Sequence, residues 1–339
     1  MKISFWLPHL KIAGGTRITL GYADALARRG HDVSVVVVNP SPFRRLFSNL
    51  LRVKPGWQRG LRARIVRIAS WERAPKADVV IADSWQVARA FVRSGNPACG
   101  IELVQHDERL YHGNPDEVTA TYQLPLPKIV VATWLQEMLR SDFGQGSTVL
   151  LNPIDRNLFF PVPVRRDSDI VRILLLDHDY VWKGTAEGVE LVERLKEQYP
   201  EVRLIMFGVR KTACARAADE YHFAPPQKKL CELYSSCDIY LCPSWEEGSG
   251  LPSMEAMLCG MALVTYDNGG SRDYAIDGKT AFVAAHRDKG DILRRLETAV
   301  VDASKRKETA SAGRERIQGM PTREEQTERL EGILKELCA

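Results

Sequence analysis

Residues 242–260 read CPSWEEGSGLPSMEAMLCG, and this stretch decides how the rest of the chain is read. An apolar run with strand character, 239–242, leads into it. A loop with glycines at Gly248 and Gly250 follows, and a helix restarts at Pro252, a residue favoured in a first helical turn because its missing N–H would have no partner there. Strand, glycine loop and helix N-terminus in succession aim backbone N–H groups and the positive end of a helix dipole at one spot, which suits a phosphate. Glu247 in the loop and Glu255 in the first turns of the helix frame that spot, with seven residues between them. A phosphate does not attract carboxylates, so the two acids imply hydroxyl groups beside it. Phosphate and hydroxyls on one ligand describe a nucleotide sugar.

Working outward, 339 residues suit two domains rather than one. An apolar fraction of 45% is ordinary for a globular chain. No run of about 18 apolar residues is present to span a bilayer, and the N-terminus reads as a first strand rather than a leader, since Pro8, His9 and Lys11 break its apolar run. The seven cysteines form neither a paired zinc pattern nor a secreted framework; with Cys231, Cys237 and Cys242 in apolar surroundings, reduced thiols in a cytoplasmic protein are expected.

The net charge of +4 is unevenly spread. Between 41 and 76 stand ten Lys/Arg against one acid, Glu72, a local charge of +9 that leaves −5 for the rest. Within it Phe43, Leu46, Phe47, Leu50 and Leu51 recur at helical spacing, with Arg44, Arg45 and Arg52 around them. Such a helix can lie on an anionic membrane surface or meet an anionic acceptor; the alternative is a helix packed on its own domain with a solvated arginine face. The further arginines at Arg59, Arg62, Arg64 and Arg67 exceed what solubility requires. No aromatic-interleaved stacking pattern supports a nucleic-acid partner.

In chain order, 3–7 is a strand, Gly14 and Gly15 form a loop, 16–29 is a helix, and 33–38 is a buried strand whose unbroken β-branched run fits a parallel sheet covered on both faces. The glycine pair lacks the full G-x-G-x-x-G spacing, and no acid closes the second strand, so a dinucleotide site is not indicated. Short apolar runs follow at 79–82, 101–104 and 129–132. His106 and Asp107 open the polar loop QHDERLYHGNP at a strand's C-terminal end, where open α/β sheets place their ligands. Prolines at 153, 161 and 163 and the charged run 165–169 mark a linker. Strand 170–176, loop DHDYVWKG, helix 185–198, strand 202–207, a helix ending near 236 and strand 262–264 repeat the β-α alternation, and 322–337 is an amphipathic helix. The expected organisation is 1–163 as an N-terminal acceptor-side domain, 164–320 as a C-terminal donor-side domain, and 321–339 as a closing helix. Asp177 and Asp179 form a D-x-D triplet, but Lys183 nearby would compete with a cation, so no metal is expected. Lys183, at a strand-to-helix turn before Gly184, is placed as a phosphate counter-ion.

On these residues the chain resembles glycosyltransferase family 4, the retaining, nucleotide-sugar-dependent transferases of GT-B fold. The likeness covers nearly the whole chain and is strongest in PSWEEGSGLPSMEAMLCG and the following DNGGSRDYAIDGKTAFV, which match the family's Glu, seven residues, Glu signature. It implies an α/β architecture of two doubly wound Rossmann-like domains facing across a cleft, with the C-terminal helix crossing back to the N-terminal domain. By the resemblance, Glu247 contacts the donor sugar, Glu255 the ribose, and Gly248, Gly250 and Leu251 the sugar or phosphate through their backbone. Gly15 lies near the phosphates, Lys183 holds the diphosphate and His106 stands at the sugar face. One departure is present: the family usually has an arginine five residues before the lysine, and here that position is His178. The histidine is then the expected diphosphate contact, with Arg210 or Arg272 as substitutes for the missing guanidinium.

The implied reaction is metal-independent, cofactor-free transfer of a hexosyl or deoxyhexosyl group from a nucleoside diphosphate sugar to an acceptor hydroxyl, with retention, in bacterial glycan, glycolipid or natural-product glycosylation. His106, Glu247 and Lys183 are the expected catalytic set. The acceptor is expected to be lipid-linked or anionic, and the protein to be cytoplasmic, peripheral on the inner face of the membrane. Two other readings stay open: a related GT-B enzyme, such as a sugar-nucleotide epimerase or a phosphorylase, and a non-catalytic nucleotide-sugar-binding subunit.

Overall fold

The computed structural model describes every residue except Arg59, His112, 165–168 and Ala339. Arg59 of the basic segment, His112 of the polar loop and most of the charged linker run therefore lie outside the described residues. The chain forms two units, 1–153 with 323–339, and 154–322.

The first unit is built on seven parallel strands, β1 (Lys2–Trp6), β2 (Asp32–Val38), β3 (Arg64–Ile68), β4 (Val79–Ala82), β5 (Cys99–Val104), β6 (Lys128–Val130) and β7 (Thr148–Val149), in the order β3-β2-β1-β4-β5-β6-β7. The run DVSVVVV of β2 buries five successive residues, as expected of a strand covered on both faces. Helices α1 (Gly14–Arg28), α2 (Pro42–Leu50), α3 (Trp85–Ser94), α4 (Pro115–Tyr122) and α5 (Thr133–Phe143) make the crossovers. Trp6 anchors one face of the sheet, packed with Val36, Val80 and Phe91 and stacked on Trp71 at 4.8 Å.

The second unit repeats the plan with β8 (Val171–Leu176), β9 (Val202–Gly208), β10 (Glu220–Phe223), β11 (Ile239–Cys242), β12 (Ala262–Tyr266) and β13 (Phe282–Ala284), all parallel, in the order β10-β9-β8-β11-β12-β13. Helices α6 (Thr185–Lys196), α7 (Gln227–Ser236), α8 (Leu251–Leu258), α9 (Lys289–Val301) and α10 (Ala303–Gln318) belong to it. In each sheet the winding reverses once, between β1 and β4 and between β8 and β11. Open parallel sheets bind ligands at such reversals, outside the carboxyl ends of the strands.

The last helix, α11 (Arg323–Leu337), returns to the first unit. Gln326, Leu330, Ile333 and Leu334 form its buried stripe. Gly21 of α1 lets the Arg323 guanidinium pass where a Cβ would collide with it. Arg29 pairs with Glu331 at 2.8 Å, and Gln326 Nε2 donates to the Leu151 carbonyl at 2.6 Å.

Two expectations change. Gly14 and Gly15 are not a loop: they form the first turn of α1 behind an extended Ala13. The thiols are not all reduced either, because Cys99 on β5 and Cys338 just beyond α11 are joined in a disulfide, while Cys214, Cys231, Cys237, Cys242 and Cys259 are free. Spacing gave no sign of the bond because its two ends are 239 residues apart in sequence.

Candidate active site

In the second unit the reversal between β8 and β11 gathers the residues singled out above. The chain leaves β8 through Asp177 and His178, makes a short helical turn over Val181–Lys183, and enters α6 through Gly184. Gly184 has φ +66°, and a Cβ there would run into the Pro243 carbonyl, so only glycine lets this turn lie against the loop after β11. Trp245 N donates to the Trp182 carbonyl at 2.8 Å and fastens the two loops together.

Lys183 Nζ consequently reaches Glu247 Oε1 at 2.7 Å. Glu247 is only 9% exposed. Its own N–H donates to the Asn268 carbonyl at 2.9 Å, which pins the residue's backbone to the loop following β12. A small cavity beside the pair is lined by Leu176, Lys183, Cys242, Ser244, Glu247 and Pro252.

Gly248 and Gly250 are buried in the same loop. Gly250 has φ +71° and is the N-cap of α8, where no side chain caps the helix. Tyr274 Oη donates to the Gly250 carbonyl at 3.3 Å and occupies the space a Cβ would need. With Pro252 in the first turn, the N–H groups of Leu251 and Ser253 have no acceptor within the helix. Leu251 is 7% exposed. Glu255 lies one turn further on, 2% exposed, and its Oε2 accepts from Tyr234 Oη at 3.2 Å. The two acids thus have separate partners, Lys183 for one and Tyr234 for the other.

His178 stands at the mouth of the first loop. Its Nδ1 accepts the Tyr180 N–H at 3.1 Å, and its ring leans on that of Tyr180, which stacks on Trp182 at 4.2 Å. Burial, and then the Lys183 charge, hold its pKa below the ordinary histidine value. Asp179 Oδ1, 3.3 Å from the same nitrogen, works the other way. The backbone N–H already occupies the Nδ1 lone pair, so we assign the neutral form, which carries its proton on Nε2. The substitutes considered for a guanidinium are both engaged: Arg210 pairs with Asp179, and Arg272 with Asp267 at 2.7 Å. Asp177 is buried and accepts from Thr212 N, Thr212 Oγ1 and Tyr221 Oη at 3.0, 2.6 and 2.9 Å, so its carboxylate serves the local fold.

The first unit holds Gly15 in the first turn of α1 and His106 in the loop just after β5. Gly15 packs against the side chain of Gln105, with no room for a Cβ. His106 Nδ1 donates to the Asp107 carbonyl at 3.0 Å, and the rings of Tyr111 and Trp134 stand edge-on to it. Asp107 is held by Arg109, which also reaches Asp142.

Sequence reasoning passed over Asp83 and Glu108. Asp83 directly follows β4 at the reversal point of the first sheet and accepts from Gln105 Nε2 and from Thr19 Oγ1, the latter at 3.0 Å. Burial raises it to about 7 against the pull of those hydrogen bonds. Glu108, which accepts the Trp85 N–H at 2.8 Å, is pushed up to about 8 by burial. The strand-end rule applied to His106 would have found Asp83 as well.

On α2, Arg44 and Phe47 are exposed, as is Arg52 just beyond its end, whereas Arg45 turns inward and donates to the Asn39 and Pro40 carbonyls at 2.7 Å.

Compared with known proteins, residues 166–316 match the family described as glycosyl transferases group 1, and residues 13–142 match the glycosyl transferase 4-like domain. The alpha-maltose-1-phosphate synthase of Mycolicibacterium smegmatis is 29% identical over 205 residues, covering 50% of this chain and 51% of that protein. The chain spans about half or less of the length of such curated relatives. Sucrose-phosphate synthase from Thermosynechococcus elongatus superposes with a TM-score of 0.81 at 15% identity, over 99% of this chain and 98% of that one. HepE of Anabaena, solved with UDP-glucose, gives 0.78 at 15% identity, over 99% and 100%. These likenesses show the fold, GT-B.

Proposed function

The chain belongs to the glycosyl transferases group 1, with a family 4-like N-terminal part, and from that premise we propose that it moves a sugar from a nucleoside diphosphate sugar to an acceptor hydroxyl with retention at the anomeric carbon. The observation that carries this reading is the Lys183–Glu247 pair beside the uncapped start of α8. An ammonium has three N–H donors, so Lys183 can keep Glu247 in place and still bind a diphosphate oxygen. The N–H groups of Leu251 and Ser253, at the uncapped start of α8, are the further donors this reading assigns to the diphosphate. Glu247, an acceptor only, takes the sugar hydroxyls, and Glu255 the ribose. UDP-glucose, the ligand of HepE, is the first donor to try.

In the reaction the bond between the anomeric carbon and the diphosphate oxygen breaks, and the acceptor oxygen bonds the carbon on the same face. The acceptor's proton passes to the departing phosphate oxygen. Lys183 and the α8 N–H groups offset the charge that develops there, a role in which preorganised donors are most effective. On this account neither a metal nor a cofactor is required. His178 supplies a neutral N–H to the diphosphate, and Gly15 and His106 serve the acceptor and sugar side of the first unit.

A thermal-shift panel of nucleotide sugars, followed by product analysis with the best donor, tests the reading. The expected results are stabilisation by one nucleotide sugar, an α-linked product from an α-linked donor, and activity that survives EDTA. An inverted product, an epimerised donor or phosphorolysis would overturn it, and so would tight donor binding without transfer to any acceptor in a broad panel.

A further inference from the structure

Helix α2 is mounted inside out. A surface helix ordinarily turns its apolar stripe to the core and its polar face to water. In α2 no residue is buried, and the apolar side is the exposed one: Phe43, Leu46, Phe47 and Leu50 are 77%, 70%, 54% and 76% exposed. Leu51, just after the helix, is 56% exposed. At about 100° per residue these five cover an arc of roughly 140°.

The polar side is what fastens the helix. Asn49 donates to the Arg67 carbonyl and accepts the Arg67 N–H, both at 2.9 Å, and so pairs with the backbone of β3 as a neighbouring strand residue would. Arg45 holds the carbonyls of Asn39 and Pro40. The rings of Phe43 and Phe47 stack with centroids 6.4 Å apart. The sequence alone left open a helix with its stripe packed on its own domain, and the structure excludes that arrangement.

The surroundings say what could cover the stripe. Arg44 and Arg52 flank it, exposed, and Arg62 and Arg64 stand exposed at the start of β3, the edge strand of the sheet. Asp32 offsets Arg64 in part, at 3.5 Å, and Glu72 is the single acid of the whole segment 41–76. A second copy of this chain would bring the same positive charge to the contact, whereas a bilayer offers acyl chains to the stripe and anionic headgroups to the arginines beside it.

We propose that α2 and its arginine rim dock the protein on an anionic phospholipid bilayer, the helix lying in the plane of the interface. The surface stands apart from the transferase reading, since docking is measured without donor or acceptor.

The test is co-sedimentation of the full chain with vesicles of phosphatidylglycerol and phosphatidylcholine, compared with phosphatidylcholine alone. Binding should be at least tenfold stronger to the anionic vesicles. It should fall at least tenfold in the triple variant Phe43→Ser, Leu46→Ser, Leu50→Ser, and likewise in Arg44→Glu, Arg52→Glu. Melting temperatures should stay at the wild-type value, because these side chains lie outside the core. Three results would overturn the proposal: no vesicle binding by the wild type, binding that responds to the arginines but not to the apolar residues, or a dimer in light scattering that the triple variant dissolves while vesicles remain unbound.

Discussion

Lys183 Nζ stands 2.7 Å from Glu247 Oε1, joining the loop after β8 to the loop after β11 across 64 residues of sequence. The lysine closes a turn that only glycine can follow, and the acid is nearly enclosed. Removing either member has consequences for chemistry that differ from those for folding.

Replacing Lys183 with alanine should lower kcat/KM for transfer by about 10²–10³, the usual effect of losing one charge-stabilising donor. Glu247→Gln keeps the shape and should lower kcat more than it raises KM. Both proteins should show wild-type circular dichroism. Full activity in either variant would remove that residue from its proposed role.

Neutral His178 predicts a pH-dependent grip on the diphosphate. Its pKa lies below 6.5, so the ring gains charge only as pH falls beneath that value. Calorimetric affinity for UDP should rise on acidification in the wild type. In His178→Arg it should be tighter and flatter with pH, because a guanidinium stays charged, and His178→Ala should bind more weakly throughout. Identical affinities in all three would take His178 out of the site.

Two half-buried acids of the first unit, Asp83 and Glu108, predict a stability that falls with pH. Asp83 titrates at about 7 and Glu108 at about 8 in the folded protein, against about 3.9 and 4.3 in an unfolded chain. Between those limits the native state binds more protons than the unfolded one, so raising pH favours unfolding. The melting temperature should therefore drop from pH 5 to pH 8, and Asp83→Asn should reduce that drop. An unchanged slope would mean that Asp83 is ionised in the fold.

Joining Cys99 to Cys338 fixes the end of α11 to β5. A disulfide typically contributes about 2–4 kcal/mol. Reductant should therefore lower the melting temperature of the wild type, and Cys338→Ser should start at that lower value and ignore reductant. Thiol titration of the denatured protein that finds seven free cysteines under oxidising conditions would contradict the bond.

By itself the sequence determined the alternation of buried strands and amphipathic helices and the strand-to-helix loops of the second half, with acids at 247 and 255; that two of those loops stand at the reversal of the sheet came from the strand order. The features legible in the sequence rest on spacings of a few residues, through the periodicity of strands and helices and the demands of glycine at Gly184 and Gly250. What joins distant residues was decided only by the tertiary structure. The return of α11 to the first unit, the Cys99–Cys338 bond, the burial that lifts Asp83 and the Lys183–Glu247 pair each depend on where the sheets bring chain segments that lie tens to hundreds of residues apart. The same holds for α2. Its sequence shows an amphipathic helix, but which face meets the protein was settled by Asn49 finding the backbone of Arg67 on an edge strand. Hydrophobic spacing marks a face without saying what covers it.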